Sequence, residues 1–141
     1  MRKIKVAVTL DSEGGVAYNK RRQSRDRNLI ADLCEKSDGY VYVSHYSAPL
    51  FSKFEDKIRI VDRPLADCPD GELAFVECEN LTEHAEEISE LTLYLWNRDY
   101  PSDVKLGIDL EASFALVSEY EFVGSSHERI TKKTYKSMQI K

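Results

Sequence analysis

The fold is decided by the opening of the chain, which reads Ile4-Lys-Val-Ala-Val-Thr-Leu10 and continues as Asp11-Ser-Glu-Gly-Gly15. The first stretch is apolar and rich in β-branched residues, which is typical of a strand that is buried on both faces. The second stretch contains the small and polar residues that favour a turn. We therefore expect a sheet whose first strand lies inside the protein.

The rest of the chain alternates strands and helices at first and then consists of strands alone. Helices are predicted at residues 24–36, 47–54 and 81–88, and residues 62–71 are predicted to be a loop. Strands are predicted at residues 40–44, 57–61, 73–76, 91–96, 104–108, 113–122 and 129–138. This order predicts one α/β domain over residues 1–141, with a mixed, mainly parallel β-sheet flanked by helices and a C-terminal antiparallel hairpin.

The composition is that of an ordinary globular protein. The 141 residues are 42% hydrophobic and 32% charged, and the formal net charge is -5. An acidic chain of this kind is not expected to bind nucleic acid non-specifically, and no apolar run is long enough for a membrane span. Cys34, Cys68 and Cys78 are widely spaced, so we predict no metal site. A cytoplasmic protein is expected.

A cluster of arginines follows the first turn. Residues 19–27 read Asn-Lys-Arg-Arg-Gln-Ser-Arg-Asp-Arg, and five of these nine residues are cationic. Guanidinium groups bind phosphate or carboxylate at two points, and the free amides of a helix start favour an anion. The ligand-binding candidates in this stretch are Asn19, Arg21, Arg22, Ser24, Arg25 and Arg27. Ser24 or Asp26 is predicted to cap this helix start. Alternatively, the arginines form a solvated helix start and pair with Asp26 and the acidic segment 77–90.

Two further stretches contain side chains with suitable chemistry. Residues 96–101 read Trp-Asn-Arg-Asp-Tyr-Pro and combine an indole with a guanidinium group, which can together hold a nucleobase. Residues 124–128 read Gly-Ser-Ser-His-Glu. The ligand-binding candidates here are Trp96, Asn97, Arg98, Tyr100, Ser125 and Ser126, and the catalytic candidates for acid–base chemistry are His127 and Glu128. The alternatives are a tryptophan in the core and an ordinary hairpin turn.

The order of these segments resembles that of the dihydrofolate-reductase family from end to end. Residues 4–19 resemble its opening strand and active-site loop, and the segment that ends at Leu33 resembles its first helix. Residues 39–51 resemble the next strand and short helix. The closing stretches follow the order of the family's last strands, at residues 91–95, 108–110, 115–122 and 130–135. The resemblance implies a dihydrofolate-reductase-like fold.

The motifs that carry reductase chemistry in that family are absent. Residues 21–23 replace its Leu-Pro-Trp, and Asn28 stands where its substrate-binding carboxylate lies, unless a shift of register brings Asp26 or Asp32 there. Residues 77–80, Glu-Cys-Glu-Asn, replace the Gly-Gly that lets a strand end approach the cofactor pyrophosphate. Because carboxylates repel phosphate, we expect no NADPH and no other cofactor.

The stretches 19–27, 96–101 and 124–128 also resemble patterns in small proteins of Clostridia-like bacteria and their mobile elements. Some of those proteins are labelled ribonuclease Z. That chemistry needs a His-x-His-x-Asp-His zinc motif, which this sequence does not contain. We therefore do not expect it here.

Three functions fit these observations. The first is a cofactor-free binding protein for a phosphorylated small molecule or nucleotide, which sequesters a signal. Such a protein could also inhibit a host or defence protein, with its arginines meeting an acidic or phosphate-bearing surface of that target. The second is a diverged enzyme, either reductase-like or a metal-free phosphodiesterase that uses His127 and Glu128. The third is a protein-interaction subunit whose arginines form ion pairs, for example across a homodimer interface.

Overall fold

Strand β1 (Ile4–Leu10) lies inside a seven-stranded sheet, as its apolar sequence predicts. The structure is a computed structural model and describes residues 2–138. β1 pairs in parallel with β6 (Leu73–Phe75) on one side and with β7 (Ile88–Leu95) on the other. Its side chains alternate between two layers of core, so that Val6 and Val8 lie in one layer and Ala7 in the other. The opening stretch is thus buried on both faces.

The sheet is mixed and mainly parallel, which confirms the predicted fold class. Its strand order is β5-β4-β6-β1-β7-β10-β9, and only β10 and β9 run antiparallel to their neighbours. The remaining strands of this sheet are β4 (Val41–Val43), β5 (Ile58–Ile60), β9 (Phe114–Phe122) and β10 (Ile130–Ser137). β9 and β10 form the predicted C-terminal hairpin.

A second, three-stranded sheet lies beside the carboxyl end of β1. It has the order β3-β2-β8 and consists of β2 (Gly15–Tyr18), β3 (Arg21–Arg22) and β8 (Val104–Lys105). The β2–β3 turn has positive φ at both Asn19 (53°) and Lys20 (63°), which is the conformation of a two-residue hairpin. β8 is the predicted edge strand 104–108, shortened to two residues.

Helix α1 (Arg27–Lys36) is the only α-helix longer than four residues within residues 2–138. It buries Leu29, Ile30, Leu33 and Cys34 against the sheet, as the predicted spacing requires. Pro64–Asp67 forms a four-residue helix, α2, inside the predicted loop 62–71, because Pro64 starts a helical turn. Helix α3 (Leu110–Ser113) precedes β9.

Two 3₁₀ segments replace predicted helices. Ala48–Lys57 stands at the predicted helix 47–54 and has non-helical backbone angles at Phe51 and Phe54. Thr82–Glu87 stands at the predicted helix 81–88 and buries none of its residues. A short segment without a buried face lacks the packing that holds an α-helix in place. In the part of the chain that the structure describes, no helix is long and apolar enough to cross a membrane.

The three cysteines are free thiols, two of them buried. Burial raises the pKa of Cys34 to about 11 and that of Cys68 to about 12. Both thiols therefore stay protonated at neutral pH, as expected of cysteines that fill the core.

The carboxylate of Asp32 links α1 to three strands of the sheet through hydrogen bonds. It accepts hydrogen bonds from the hydroxyls of Tyr94 on β7 (2.7 Å) and Tyr120 on β9 (2.6 Å). Lys132 Nζ on β10 donates a third at 2.9 Å. The side chains of Asp32 and Lys132 are only 12% and 11% exposed. Burial alone raises the pKa of Asp32, but these three donors outweigh it and lower the pKa below its ordinary value.

Removal of this carboxylate is expected to destabilise the fold. Asp32→Ala leaves the largely buried Lys132 ammonium without its carboxylate and removes the acceptor of two tyrosine hydroxyls, at a cost of about 3 kcal/mol. Glu35→Ala, an exposed position on the same helix, is the control and should change stability by less than about 0.5 kcal/mol. Urea unfolding measures both, and equal unfolding midpoints would contradict this role of Asp32.

Candidate functional site

Asp26 is the N-cap of α1, one of the two residues predicted for that position. Its Oδ1 accepts hydrogen bonds from the backbone amides of Asn28 (2.9 Å) and Leu29 (3.2 Å). The amide of Arg27 donates instead to Ser125 Oγ at 2.8 Å. The first-turn amides are therefore already satisfied. The expectation that they are free to hold an anion is corrected here.

The same carboxylate also holds the loop between β9 and β10. Oδ1 accepts a hydrogen bond from the amide of Ser125 (2.9 Å), and Oδ2 accepts one from the amide of Ser126 (2.8 Å). Gly124 lies so close that a Cβ atom added to it would clash with Asp26 Oδ2. A glycine is thus needed at this position because the loop backbone approaches the carboxylate directly.

These donors keep Asp26 ionised. Its side chain is 0% exposed. Burial alone raises the pKa of Asp26, but the hydrogen bonds from Ser125, Ser126, His127 and Leu29 lower it to about 2. At neutral pH the group is therefore a buried carboxylate whose charge is balanced by hydrogen-bond donors.

His127 is the fifth donor to Asp26 and links it to two hydroxyl groups. Its Nδ1 lies 3.0 Å from Asp26 Oδ2. Because an ionised carboxylate accepts the proton of Nδ1, Nε2 is the basic nitrogen of the neutral ring. Nε2 lies 3.1 Å from Ser24 Oγ and 3.1 Å from the hydroxyl of Tyr100. The three stretches 19–27, 96–101 and 124–128, far apart in sequence, therefore meet around one imidazole.

Trp96 supports this imidazole. Its indole stacks on the ring of His127 with 4.5 Å between centroids, and the residue is 2% exposed. The expectation that Trp96 stacks on a nucleobase is therefore corrected: it belongs to the core, the alternative considered for it. Its Nε1 is buried and has no partner among the described residues.

The other candidates of these two stretches lie outside the network. The side chain of Asn97 donates to the carbonyl of Arg129 and to Thr131 Oγ1, so it ties the end of β7 to β10. Arg98 is exposed. Glu128 is exposed, whereas the side chain of His127 is 2% exposed, so these adjacent residues do not form a catalytic pair.

The arginines divide into a buried ion pair and exposed cations. Arg22 Nε and Nη2 lie 2.9 and 3.0 Å from the carboxylate oxygens of Glu77, whose side chain is 4% exposed. The guanidinium also lies 4.2 Å from the ring centroid of Tyr46. Ser47 Oγ donates to Glu77 Oε1 at 2.6 Å. Arg22 is thus engaged by Glu77 and Tyr46, as in the ion-pair alternative, and is not free for a ligand.

The side chains of Arg21, Arg25 and Arg27 are exposed and make no hydrogen bond or ion pair within residues 2–138. Arg25 and Arg27 line one cleft of about 420 Å³ between the start of α1 and the segment Ala48–Lys57. The other residues that line this cleft are Asp26, Ile30, Pro49, Leu50, Ser52 and Ser126. Arg21 and Asn19 lie on a separate cavity of about 290 Å³ beside Tyr100. The five arginine and asparagine candidates of this stretch therefore do not converge on one anion.

Sequence reasoning missed the partners that fix these positions. Glu77 and Tyr46 engage Arg22, yet the sequence offers Glu77 only as one residue of the acidic stretch 77–90 and does not pair Tyr46 with an arginine. Gly124 was noted only as part of a turn, although its lack of a side chain lets the loop reach Asp26. The usable signal was Asn19-Lys20, whose asparagine is typical of a tight hairpin and predicts the β2–β3 pairing that carries Arg22 to Glu77.

The fold is that of a dihydrofolate-reductase-like protein. A search of solved structures matches dihydrofolate reductase from Enterococcus faecalis, solved with NADP(H) and RAB-propyl. The TM-score is 0.67 at 10% sequence identity, and the match covers 97% of each chain. No protein-family model matches the chain, and no curated protein matches it. At this identity the likeness concerns the fold alone.

The residues of this chain do not fit the pyrophosphate of a nicotinamide cofactor. Strand β6 ends beside Glu77, whose carboxylate occupies the region where the resemblance implies a Gly-Gly dipeptide. Cys78 keeps a left-handed backbone with φ 69°, a conformation that favours glycine, but it carries a side chain there. A buried carboxylate and a thiol at this strand end oppose the close approach of phosphate.

The structural role of Arg22 is testable by mutation. Arg22→Ala leaves the carboxylate of Glu77 buried without its cation, and we expect a loss of about 3 kcal/mol in the free energy of unfolding. Arg21→Ala removes the same charge from an exposed neighbour and should change stability by less than about 0.5 kcal/mol. Thermal or urea unfolding compares the two variants. Equal stability would mean that the Arg22–Glu77 pair does not hold the β3 segment.

Proposed function

We propose that the protein is a cofactor-free binding protein for a phosphorylated small molecule or nucleotide. The ligand lies in the cleft between α1 and the segment Ala48–Lys57 and is held by Arg25 and Arg27. The observation that carries the proposal is the presence of two exposed guanidinium groups on one cleft. Neither is engaged by a side chain or carbonyl within residues 2–138.

The lining of the cleft supports a ligand that is anionic at one end and apolar at the other. Its volume of about 420 Å³ falls in the usual range for small-molecule sites. Ile30, Pro49 and Leu50 provide an apolar wall, and Ser52 and Ser126 bring hydroxyl groups. Guanidinium groups bind phosphate oxygens with charge-assisted, two-point hydrogen bonds. The carboxylate of Asp26 repels an anionic ligand less than an exposed carboxylate would, because five hydrogen-bond donors already surround it.

The resemblance to small proteins of Clostridia-like bacteria and their mobile elements suggests two biological uses. In the first, the protein sequesters a nucleotide signal. In the second, the same arginines contact an acidic surface of a host or defence protein. Both uses require Arg25 and Arg27.

Native mass spectrometry on gently purified protein is the first test of ligand binding. We expect a retained phosphorylated compound on the wild-type protein and none on the Arg25→Ala/Arg27→Ala variant. The same spectra give the oligomeric state. Isothermal titration with ATP and with adenosine then measures the contribution of the phosphates, and we expect ATP to bind at least about 10-fold more tightly.

A charge-matched control separates specific contact from overall charge. Arg25→Ala and Arg27→Ala should each weaken ATP binding by about 10-fold, a loss of about 1.4 kcal/mol. Lys53→Ala removes one positive charge from an exposed position on the neighbouring segment, outside the cleft lining, and should change the affinity less than about twofold. If inorganic phosphate, AMP and ATP all fail to bind at about 1 mM, or if all three variants bind alike, the proposed function is wrong.

A further inference from the structure

A hydrogen-bonded series connects the half-buried hydroxyl of Ser24 through the His127 imidazole to the Asp26 carboxylate. Ser24 Oγ lies 3.1 Å from His127 Nε2, and His127 Nδ1 lies 3.0 Å from Asp26 Oδ2. This is the arrangement in which an imidazole takes the proton of a serine while a buried carboxylate orients the ring. We propose that Ser24 is an activated nucleophile and that the protein hydrolyses a carboxylic ester of an anionic small molecule.

The environment of His127 suits a general base. The pKa of Asp26, lowered to about 2, keeps that carboxylate ionised, so it accepts the Nδ1 proton and leaves Nε2 facing Ser24. Trp96 covers one face of the imidazole and fixes the plane of the ring. Because the side chains of His127 and Asp26 are 2% and 0% exposed, the pair is positioned before any substrate arrives.

Donors for the developing oxyanion are present beside Ser24. The backbone amides of Ser24 and Arg25 donate no hydrogen bond within residues 2–138. The amide of the residue that follows a nucleophilic serine commonly stabilises the tetrahedral intermediate. Arg25, the next residue in the chain, carries an exposed guanidinium group that favours a substrate with an anionic group. Only this substrate class rests on the proposed function, whereas the reactivity of Ser24 does not.

The steps balance without any cofactor. Ser24 Oγ forms a bond to the carbonyl carbon, and its proton passes to His127 Nε2. The tetrahedral intermediate then collapses, the ester C–O bond breaks, and the leaving alcohol takes the proton from Nε2. Water attacks the acyl-serine in the same way, so ester and water give carboxylic acid and alcohol.

Tyr100 competes for the same imidazole nitrogen. Its hydroxyl also lies 3.1 Å from Nε2, and a neutral imidazole offers one lone pair there. Removal of this hydroxyl by Tyr100→Phe leaves Ser24 as the only side-chain hydroxyl bonded to Nε2 among the described residues. A nucleophilic Ser24 should then react as fast as before or faster.

Labelling with diisopropyl fluorophosphate tests the proposal. In this reaction Ser24 Oγ bonds to phosphorus, fluoride leaves, and the serine proton passes to His127. The probe is uncharged, so labelling does not depend on Arg25 or Arg27 and is separate from the ATP titrations. Peptide mapping should place the label on Ser24 at a rate at least about 100-fold above that of Ser12, an exposed serine of the β1–β2 turn.

Four variants complete the test. Ser24→Ala should abolish the label. Ser12→Ala should leave the rate of Ser24 labelling unchanged, and Tyr100→Phe should leave that rate unchanged or increase it. His127→Gln should lower the rate at least about 100-fold. If the His127→Gln variant does not fold, the proposal is tested by the ratio of Ser24 to Ser12 labelling rates in the wild-type protein. Equal labelling of the two serines, no label on Ser24, or a label on Tyr100 in its place would overturn the proposal.

Discussion

The carboxylate of Asp26 is the constraint on which the rest of the site depends. It caps α1, receives two amides of the loop between β9 and β10, and accepts the Nδ1 proton of His127. A buried carboxylate is costly unless donors surround it. Here the backbone supplies four of the five donors, so the charge is satisfied only in the folded arrangement.

This arrangement explains why the positive charges of the stretch 19–27 have different roles. The β2–β3 hairpin places Arg22 beside the buried Glu77. The resulting ion pair lies at the end of β6. Arg25 and Arg27, the residues directly before and after the cap at Asp26, remain exposed. One guanidinium therefore stabilises the fold, while two remain available on a cleft. In this dihydrofolate-reductase-like sheet an ion pair therefore lies at the end of β6, while a cleft remains beside α1.

The fold could be predicted from the sequence because its signals are local. The apolar run of β1, the helical spacing of Leu29, Ile30, Leu33 and Cys34, and the two long final strands follow from periodicity. The candidate site was predicted less well because its geometry depends on contacts between distant residues. The sequence offers the whole acidic stretch 77–90 as a partner of the arginines but does not single out Glu77 for Arg22, and nothing near Trp96 indicates that His127 covers it. The acidic segment 81–88 contains a 3₁₀ helix in place of the predicted α-helix, because the conformation of so short a segment depends on whether one of its faces is buried.

The pKa of Asp26 in the folded protein tests this account most directly. Carbon-13 NMR of the side-chain carboxyl groups follows its titration between pH 6 and pH 1.5. We expect a pKa of about 2, below the ordinary value of 3.8. A pKa lowered by folding means that the carboxylate stabilises the fold above pH 4 and that this contribution is lost as the pH falls toward 2. Titration of Asp26 near pH 3.8 in the folded protein would contradict the account, because the five hydrogen bonds that define the site would then not hold the charge.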